Sequence, residues 1–229
     1  MGECNMKRFA DIILSLCALI ILLPFFIPIM IILKLTGEHY IFYGQKRIGK
    51  GGTPFNLLKF STMLKDSPNL GSGFITLEND PRVFPFGKLL RKTKINELPQ
   101  LFNILRGDIS IVGPRPTVKE HFEKLPEEAV KAIKNTTPGI TGIGSLFFRD
   151  EESLISLYGK DDPQFFFDNE IQPYKGQLEL WYSENKSFSL DLKIILLTAY
   201  AIFFPKNKNL IKNFKKAPEL PEFMKSYYD

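Results

Sequence analysis

The chain has 229 residues and a mass of 26.3 kDa, enough for one domain with a membrane segment and too little for a large multi-domain enzyme. Hydrophobic residues make up 44% and charged residues 24%, which excludes a disordered or fibrous chain, and with only Cys4 and Cys17 there is no disulfide framework or Cys-based metal site. The net charge of +5 admits nucleic acid, an anionic membrane surface or a phosphate-bearing substrate; no zinc-finger spacing, RNP-like aromatic pattern or long basic helix is present, so nucleic acid is set aside.

The first predicted element is an apolar helix. Ile12 to Leu33 carries no charge and, at about 1.5 Å per residue, is long enough to cross a hydrocarbon core of roughly 30 Å. No small-x-small cleavage site follows it, so an anchor is expected rather than a signal peptide. Pro24 and Pro28 lack an N–H and crowd the carbonyls of Ile20 and Pro24, which predicts a kink near the middle. Lys7 and Arg8 precede the segment, and Lys34, Lys46, Arg47 and Lys50 follow it, so charge gives no inside–outside asymmetry. A spanning helix would export Lys7, Arg8 and Asp11, whereas a re-entrant hairpin keeps both flanks in the cytoplasm. The expected organisation is α+β: a re-entrant membrane helix over residues 1–35, then a small, mostly helical cytoplasmic catalytic domain over 36–229 with interfacial amphipathic helices.

Residues 34–63 read as short strands and turns, with Gly51-Gly52 joining two strands of a hairpin and no Gly-Lys-Ser/Thr of a P-loop. Residues 64–82 read as a surface loop ending at Asp80-Pro81-Arg82. From Phe86 to Leu105 a basic amphipathic helical pattern runs with an interruption at Pro99. Gly107 to Pro116 predicts a short strand and a rigid turn presenting Arg115. Residues 117–134 read as helix, Pro138 to Gly142 as a turn, and 150–186 as helix interrupted at Pro163 and Pro173. Leu190 to Phe204 falls short of a span and reads as a core or interfacial helix.

The groups able to do chemistry gather around the basic helix. Arg91, Asn96, Glu97, Gln100, Asn103 and Asp108, with Lys59 upstream and Arg115 downstream, set cations around a few acids, a pattern suited to an anionic substrate with a bound divalent metal. On periodicity alone Lys88, Arg91, Lys92 and Lys94 serve equally as a solvated or membrane-facing surface. His39 and His121 sit in unrelated contexts and do not suggest a zinc or His-based nucleophile site.

The strings Leu90-Arg91-Lys92-Thr93, Asn96 to Asn103, Gly107-Asp108 and Val112 to Pro116 resemble the bacterial sugar transferases known as small monotopic phosphoglycosyl transferases. Lys7-Arg8, Asp11, Lys59-Phe60, Thr62-Met63, Asp80-Pro81-Arg82, Pro138 to Gly142 and Asp191-Leu192-Lys193 extend the resemblance over almost the whole chain. It implies transfer of a phospho-sugar from a UDP-sugar to polyprenol phosphate, releasing UMP and starting a surface glycan at the cytoplasmic face of the bacterial inner membrane. It also implies a proline-broken re-entrant helix and Mg2+. The partners are then a UDP-sugar, polyprenol phosphate and the phospholipid membrane, with a second copy of the chain or downstream glycosyltransferases left open.

In this family an Asp-Glu pair opens the conserved helix, the Asp attacking the diphosphate and the Glu helping to hold Mg2+. The Glu is Glu97, and the Asp is replaced by Asn96, whose uncharged amide is a poor nucleophile at phosphorus. Ser61, Leu23 and Ile143 also depart from the family pattern. Asn96 therefore marks an engineered knockout, a natural branch with another route, or an inactive relative serving as a scaffold in the same glycan pathway. In an active branch Glu97 attacks, or polyprenol phosphate attacks directly while Mg2+ and the arginines stabilise the developing charge; Asn96 then orients a phosphate or offers its carbonyl oxygen to the metal. The resemblance assigns phosphate contacts to Lys59, Arg91 and Arg115 and nucleotide-sugar binding to Arg149, with Gln100 a further substrate contact. Asp80, Arg82 and Asp108 suit loop-fixing roles as well as substrate contact.

Overall fold

The computed structural model describes residues 2–71, 73, 75–77, 79–204, 208–214 and 216–228. Helix α1 (Gly2–Leu35) stays helical through both Pro24 and Pro28, so the prolines do not end it. Asp11, Ser15, Leu19, Phe26 and Leu33 form one buried stripe at helical spacing, while Ile20, Ile21, Leu23 and Phe25 lie exposed. An apolar surface of that extent marks an interaction face.

Three polar side chains hold the N-terminal end of α1. Lys7 Nζ pairs with Asp191 at 2.7 Å and donates to the Val112 carbonyl at 2.8 Å. Arg8 donates to the carbonyls of Ile104 and Leu105, groups that a helix C-terminus leaves without an intrahelical partner. Asp11 accepts the Ile111 N–H at 3.0 Å.

Strands β1 (Phe42–Ile48) and β2 (Pro54–Phe60) form an antiparallel hairpin in the register Phe42 opposite Phe60 through Ile48 opposite Pro54. Gly51 and Gly52, at φ +73° and +80°, make the expected turn. Phe60 stacks on Phe42 and meets the edge of Phe26, which seats the hairpin on α1. In the following loop Arg82 pairs with Asp80 and donates to the carbonyls of Ser67, Leu70, Gly73 and Ile75, so this pair fixes the loop.

The helical pattern after Phe86 resolves into α2 (Pro85–Lys92), a single turn Ile95–Glu97 and α3 (Gln100–Arg106). The break falls at Lys94, which adopts φ +58°, and not at Pro99, whose missing N–H lies at the start of α3 where no intrahelical bond is lost. Strand β3 (Ser110–Val112) pairs in parallel with β4 (Gly139–Thr141), so the segment expected to be a turn at Pro138 to Gly142 is a strand. Its glycines explain the difference: a Cβ on Gly139 would strike the Gly113 nitrogen, and one on Gly142 the Gly113 carbonyl.

Residues 117–134 divide into α4 (Lys119–Phe122) and α5 (Glu127–Lys134) around Pro126. Beyond β4 come α6 (Ile143–Phe147), α7 (Glu151–Tyr158), α8 (Pro163–Phe166), a π-helical turn Phe167–Ile171, α9 (Gln172–Asn185), α10 (Phe188–Phe203) and α11 (Glu222–Tyr228). Pro163 opens α8, and Pro173 sits in the first turn of α9 directly after the π-helical turn, where the regular α-helical bonding is interrupted. Helix α10 buries Asp191, Ile194 and Ala201 and exposes Leu192, Leu196 and Phe203, a half-buried element as its sequence suggests.

Two large apolar clusters and a smaller one around Phe122, Leu125 and Ile133 support this α+β arrangement. One joins α6, α9, α10 and α11 through Ile143, Leu178, Ile194 and Met224; the other joins α1, the hairpin and α3 through Phe26, Phe60 and Ile104. Each fully buried Ile, Leu or Phe contributes about 1.5–3 kcal/mol. Ile111 of β3 packs against both clusters, and the turn carrying Arg115 leaves the strand one residue further on.

Candidate active site

Lys59 enters the site from β2, opposite Tyr43 of β1, and Arg47 follows on the same alternating face of β1 as Tyr43. Asn103 fixes the height of β2: its Oδ1 accepts the Leu58 N–H at 2.9 Å, and its Nδ2 donates to the carbonyl of Asn56 and to Asp108. Asp108 thus belongs to the scaffold rather than to the cation cluster. Glu97 comes from the turn between α2 and α3, whose direction the Lys94 conformation sets.

Arg115 lies between two prolines, which limit its backbone, and Gly113 is locked against β4. From there its Nη2 donates to Glu97 Oε1 at 2.7 Å and its Nη1 to Oε2 at 3.5 Å. Arg47 donates to the Pro116 carbonyl at 3.2 Å and to Gln45, which ties the hairpin to the same turn. Arg91 pairs with Glu152 at 2.6 Å and approaches the sulfur of Met63.

The electrostatics follow from crowding several cations around one acid. Burial pushes the Glu97 carboxyl up, but the charges of Arg115 and Lys59, the Arg115 hydrogen bond and Lys94 outweigh it and hold the group far below the usual carboxylate range. Burial pushes Lys59 down to about 7 against the pull of Glu97, with Arg47, Arg115 and Arg91 repelling its charge. Arg47 falls to about 10, chiefly through burial and then through Arg115. The site therefore presents a permanent carboxylate in a positive enclosure, which is suited to phosphate groups and to a cation carried with them.

The structure brings Glu97, Lys59 and Arg115 together, with the Arg91 charge acting on Lys59. Asn96, the neighbour of Glu97 in the chain, and Gln100, at the start of α3, are buried, 5% and 1% exposed, and Asn96 Oδ1 and Gln100 Nε2 have no hydrogen-bond partner among the described residues. Arg149 is placed differently: it pairs with Asp150 at 3.2 Å, its charge acts on Tyr228, and it is not among the leading charges at Glu97 or Lys59. Lys88, Lys92 and Lys94 are exposed.

Sequence reasoning placed Arg47 only among the flanking charges. The signal lay in the alternation of β1, where Tyr43, Gln45 and Arg47 share the less exposed face. Glu151, paired with Lys175, and Glu179 of α9 also act on Arg115, but nothing in their local sequence marks them.

No group of three or more His, Cys, Asp or Glu converges among the described residues. Mg2+ is commonly held by only one or two carboxylates, with waters and substrate phosphates completing its shell. Glu97 with the orphaned Asn96 carbonyl oxygen fits that donor set.

Residues 2–205 match the family of bacterial sugar transferases, and the chain belongs to that family, an enzyme of the phosphoglycosyl transferase class. Among its relatives, the exopolysaccharide production protein ExoY of Rhizobium meliloti is 33% identical over 210 residues, 86% of this chain and 84% of its own length. An undecaprenyl-phosphate galactose phosphotransferase of Salmonella typhimurium is 31% identical over 211 residues, 86% of this chain and 40% of its own. A UDP-glucose:undecaprenyl-phosphate glucose-1-phosphate transferase of Klebsiella pneumoniae is 33% identical over 204 residues, 88% of this chain and 41% of its own.

Proposed function

We propose that this enzyme transfers a sugar 1-phosphate from a UDP-sugar to polyprenol phosphate, giving a polyprenyl-diphosphate sugar and UMP and so starting assembly of a surface glycan. The observation that carries the reading is the Glu97–Arg115 pair set among Lys59, Arg47 and Arg91, a positive enclosure for a diphosphate built from motif residues and from Arg47 of β1. The activities for which the relatives are named support the same kind of reaction, with galactose in one and glucose in another. Their identities to this chain are nearly equal, so identity does not select the sugar.

In this reading a phosphate oxygen of the polyprenol phosphate attacks the sugar-bearing phosphorus. The new P–O bond forms as the bond from that phosphorus to the bridging oxygen breaks, and UMP leaves with the electron pair. Arg115, Arg91 and Lys59 hold the diphosphate and stabilise the charge gathering on UMP. Mg2+, when bound, supplies further charge neutralisation, with Glu97 and the Asn96 carbonyl oxygen as its protein contacts. Gln100 Nε2 is available to a substrate oxygen, and Arg149 is left to the nucleotide end. Retention of the ionised Glu97 and its cations does not favour the inactive scaffold.

Residues 1–35 act as the membrane-inserted element and 36–229 as the cytoplasmic catalytic domain. The Lys7–Asp191 pair and the buried stripe from Asp11 to Leu33 support a re-entrant α1, because both of its ends then lie on the side of the domain. The deciding experiment measures UMP release from a panel of UDP-sugars with undecaprenyl phosphate and Mg2+. UMP is expected from at least one donor, and only with acceptor present; silence from every donor, with the Asn96→Asp variant silent too, would overturn the assignment.

A further inference from the structure

Trp181 is the single tryptophan of the chain and lies on α9, in a part of the surface that the proposed chemistry does not use. With Leu190 and Phe214 it floors an open cleft of about 480 Å³, and it meets the Phe214 ring edge-on at 6.4 Å. Lys193, Lys212 and Lys216 stand around that apolar floor. Lys193 Nζ lies 4.9 Å from the centre of the Phe214 ring and donates to the Asn213 carbonyl. No acid lines the cleft, and none of the three ammonium groups has a carboxylate partner among the described residues. Leu190 and Lys193 belong to α10, whose Phe188, Leu192, Leu196, Tyr200 and Phe203 are exposed at spacings of three and four, along one side of the helix.

We propose that this cleft binds the phosphate headgroup of an anionic phospholipid while the exposed face of α10 lies against the acyl chains at the membrane interface. The inference rests on the membrane-inserted α1 proposed above, to which the Lys7–Asp191 pair ties the first turn of α10. Three uncompensated ammonium groups attract a phosphate, and each lysine at an anionic surface strengthens attachment about fivefold. Their stems can lie along the aromatic floor while the charges stay at headgroup level. An indole takes the same depth, with its ring toward the chains and its N–H toward the polar side. A soluble anion would use the lysines and leave Phe188, Leu196 and Phe203 facing water, whereas a lipid uses both. A choline lipid brings its own cation, which competes with the lysines for its phosphate.

The test uses Trp181 as its own reporter. Full-length protein is placed in nanodiscs carrying, at equal mole fraction, either phosphatidylglycerol or phosphatidylcholine with brominated acyl chains, which quench a nearby indole. Quenching by the glycerol lipid should exceed that by the choline lipid about twofold or more, and the excess should shrink at high salt. The combined variant Lys193→Gln, Lys212→Gln and Lys216→Gln should lose the excess and keep its melting temperature. Equal quenching by the two lipids in wild type would overturn the headgroup site, and so would an excess that survives in the variant. Absence of quenching by either lipid would take the cleft off the bilayer and overturn the proposal, and a dimer by light scattering in detergent would then make a second copy the occupant. UMP release from the same discs separates this inference from the reaction: quenching without turnover refutes the reaction and leaves the lipid site, and turnover without quenching does the reverse.

Discussion

Lys7 and Asp191 are separated by 184 positions in the chain and joined by a 2.7 Å ion pair, with Tyr182 donating to the other oxygen of Asp191 at 2.6 Å. The same ammonium also holds the carbonyl of Val112, at the end of the strand that leads to Arg115. The first turns of α1 are thus part of the scaffold under the turn that carries Arg115, and the long apolar helix and the site share one polar junction.

This junction makes topology testable. With Asn5→Cys as the reporter in a background lacking Cys4 and Cys17, intact cells treated with an impermeant maleimide should show no labelling until they are permeabilised. Labelling in intact cells would refute the re-entrant arrangement. Asp191→Ala should cost about 2 kcal/mol through loss of charge-assisted hydrogen bonds, read as a lower melting temperature in detergent. Pro24→Ala, which restores a helix donor, should shift some molecules toward a spanning form.

Charge in the site should separate from charge on the surface. Arg115→Ala and Arg91→Ala are each expected to lower kcat/KM at least tenfold, equivalent to about 1.4 kcal/mol or more of lost transition-state stabilisation. Exposed Lys88→Ala should lower it less than threefold. Equal losses at all three positions, with unchanged melting temperatures, would mean a diffuse electrostatic patch rather than a defined site.

One carboxylate cannot readily serve as both metal ligand and nucleophile, so Asn96 and Glu97 give opposite expectations. Wild type incubated with UDP-sugar alone should carry no phospho-sugar adduct by intact-protein mass spectrometry. Asn96→Asp should open a covalent route, with UMP released before acceptor is added. Glu97→Gln should be inactive in both backgrounds. An adduct mapped to Glu97 in the wild-type protein would make Glu97 the nucleophile and refute direct attack.

Lys59 supplies a prediction in pH. Its folded pKa, lowered to about 7, lies below the ordinary 10.5, so between these values the unfolded chain binds more protons and this group's contribution to stability rises with pH. Glu179 has the opposite sign: its folded value of about 8 lies above 4.5, and its contribution falls as pH rises from about 4.5 to 8. Glu179→Gln should therefore flatten the loss of thermal stability between pH 5 and 8. Near pH 7.5, binding of a UDP-sugar should draw a proton onto Lys59. Calorimetry in buffers of different ionisation enthalpy should detect that uptake, and Lys59→Gln should abolish it.

The apolar helix, the hairpin and the turn presenting Arg115 were legible in the sequence because local signals carry them: an uncharged run, a Gly-Gly turn and paired prolines. The break at Lys94 was not, since a lysine in a left-handed conformation has no composition cue comparable to proline. The strand at Gly139 was hidden by its glycines, which suit a turn as well as the close approach to Gly113 that the fold uses. Glu97, Lys59 and Arg115 were found through motif residues, whereas Arg47 and Glu179 reach the site through pairing and packing between distant segments. Arg149, grouped with the site by resemblance, pairs with its neighbour Asp150.

The loop tied down by Arg82 carries a consequence for diversification. Its guanidinium reads the carbonyls of Ser67, Leu70, Gly73 and Ile75, groups that every amino acid supplies, and Asp80 completes the clamp. An exposed side chain such as Leu70 can therefore change without loosening the clamp, whereas Gly71 and Gly73, at φ +54° and +59°, and the buried Ile75 are held to their residue types. The loop's course is kept by the Asp80–Arg82 pair and these positions together.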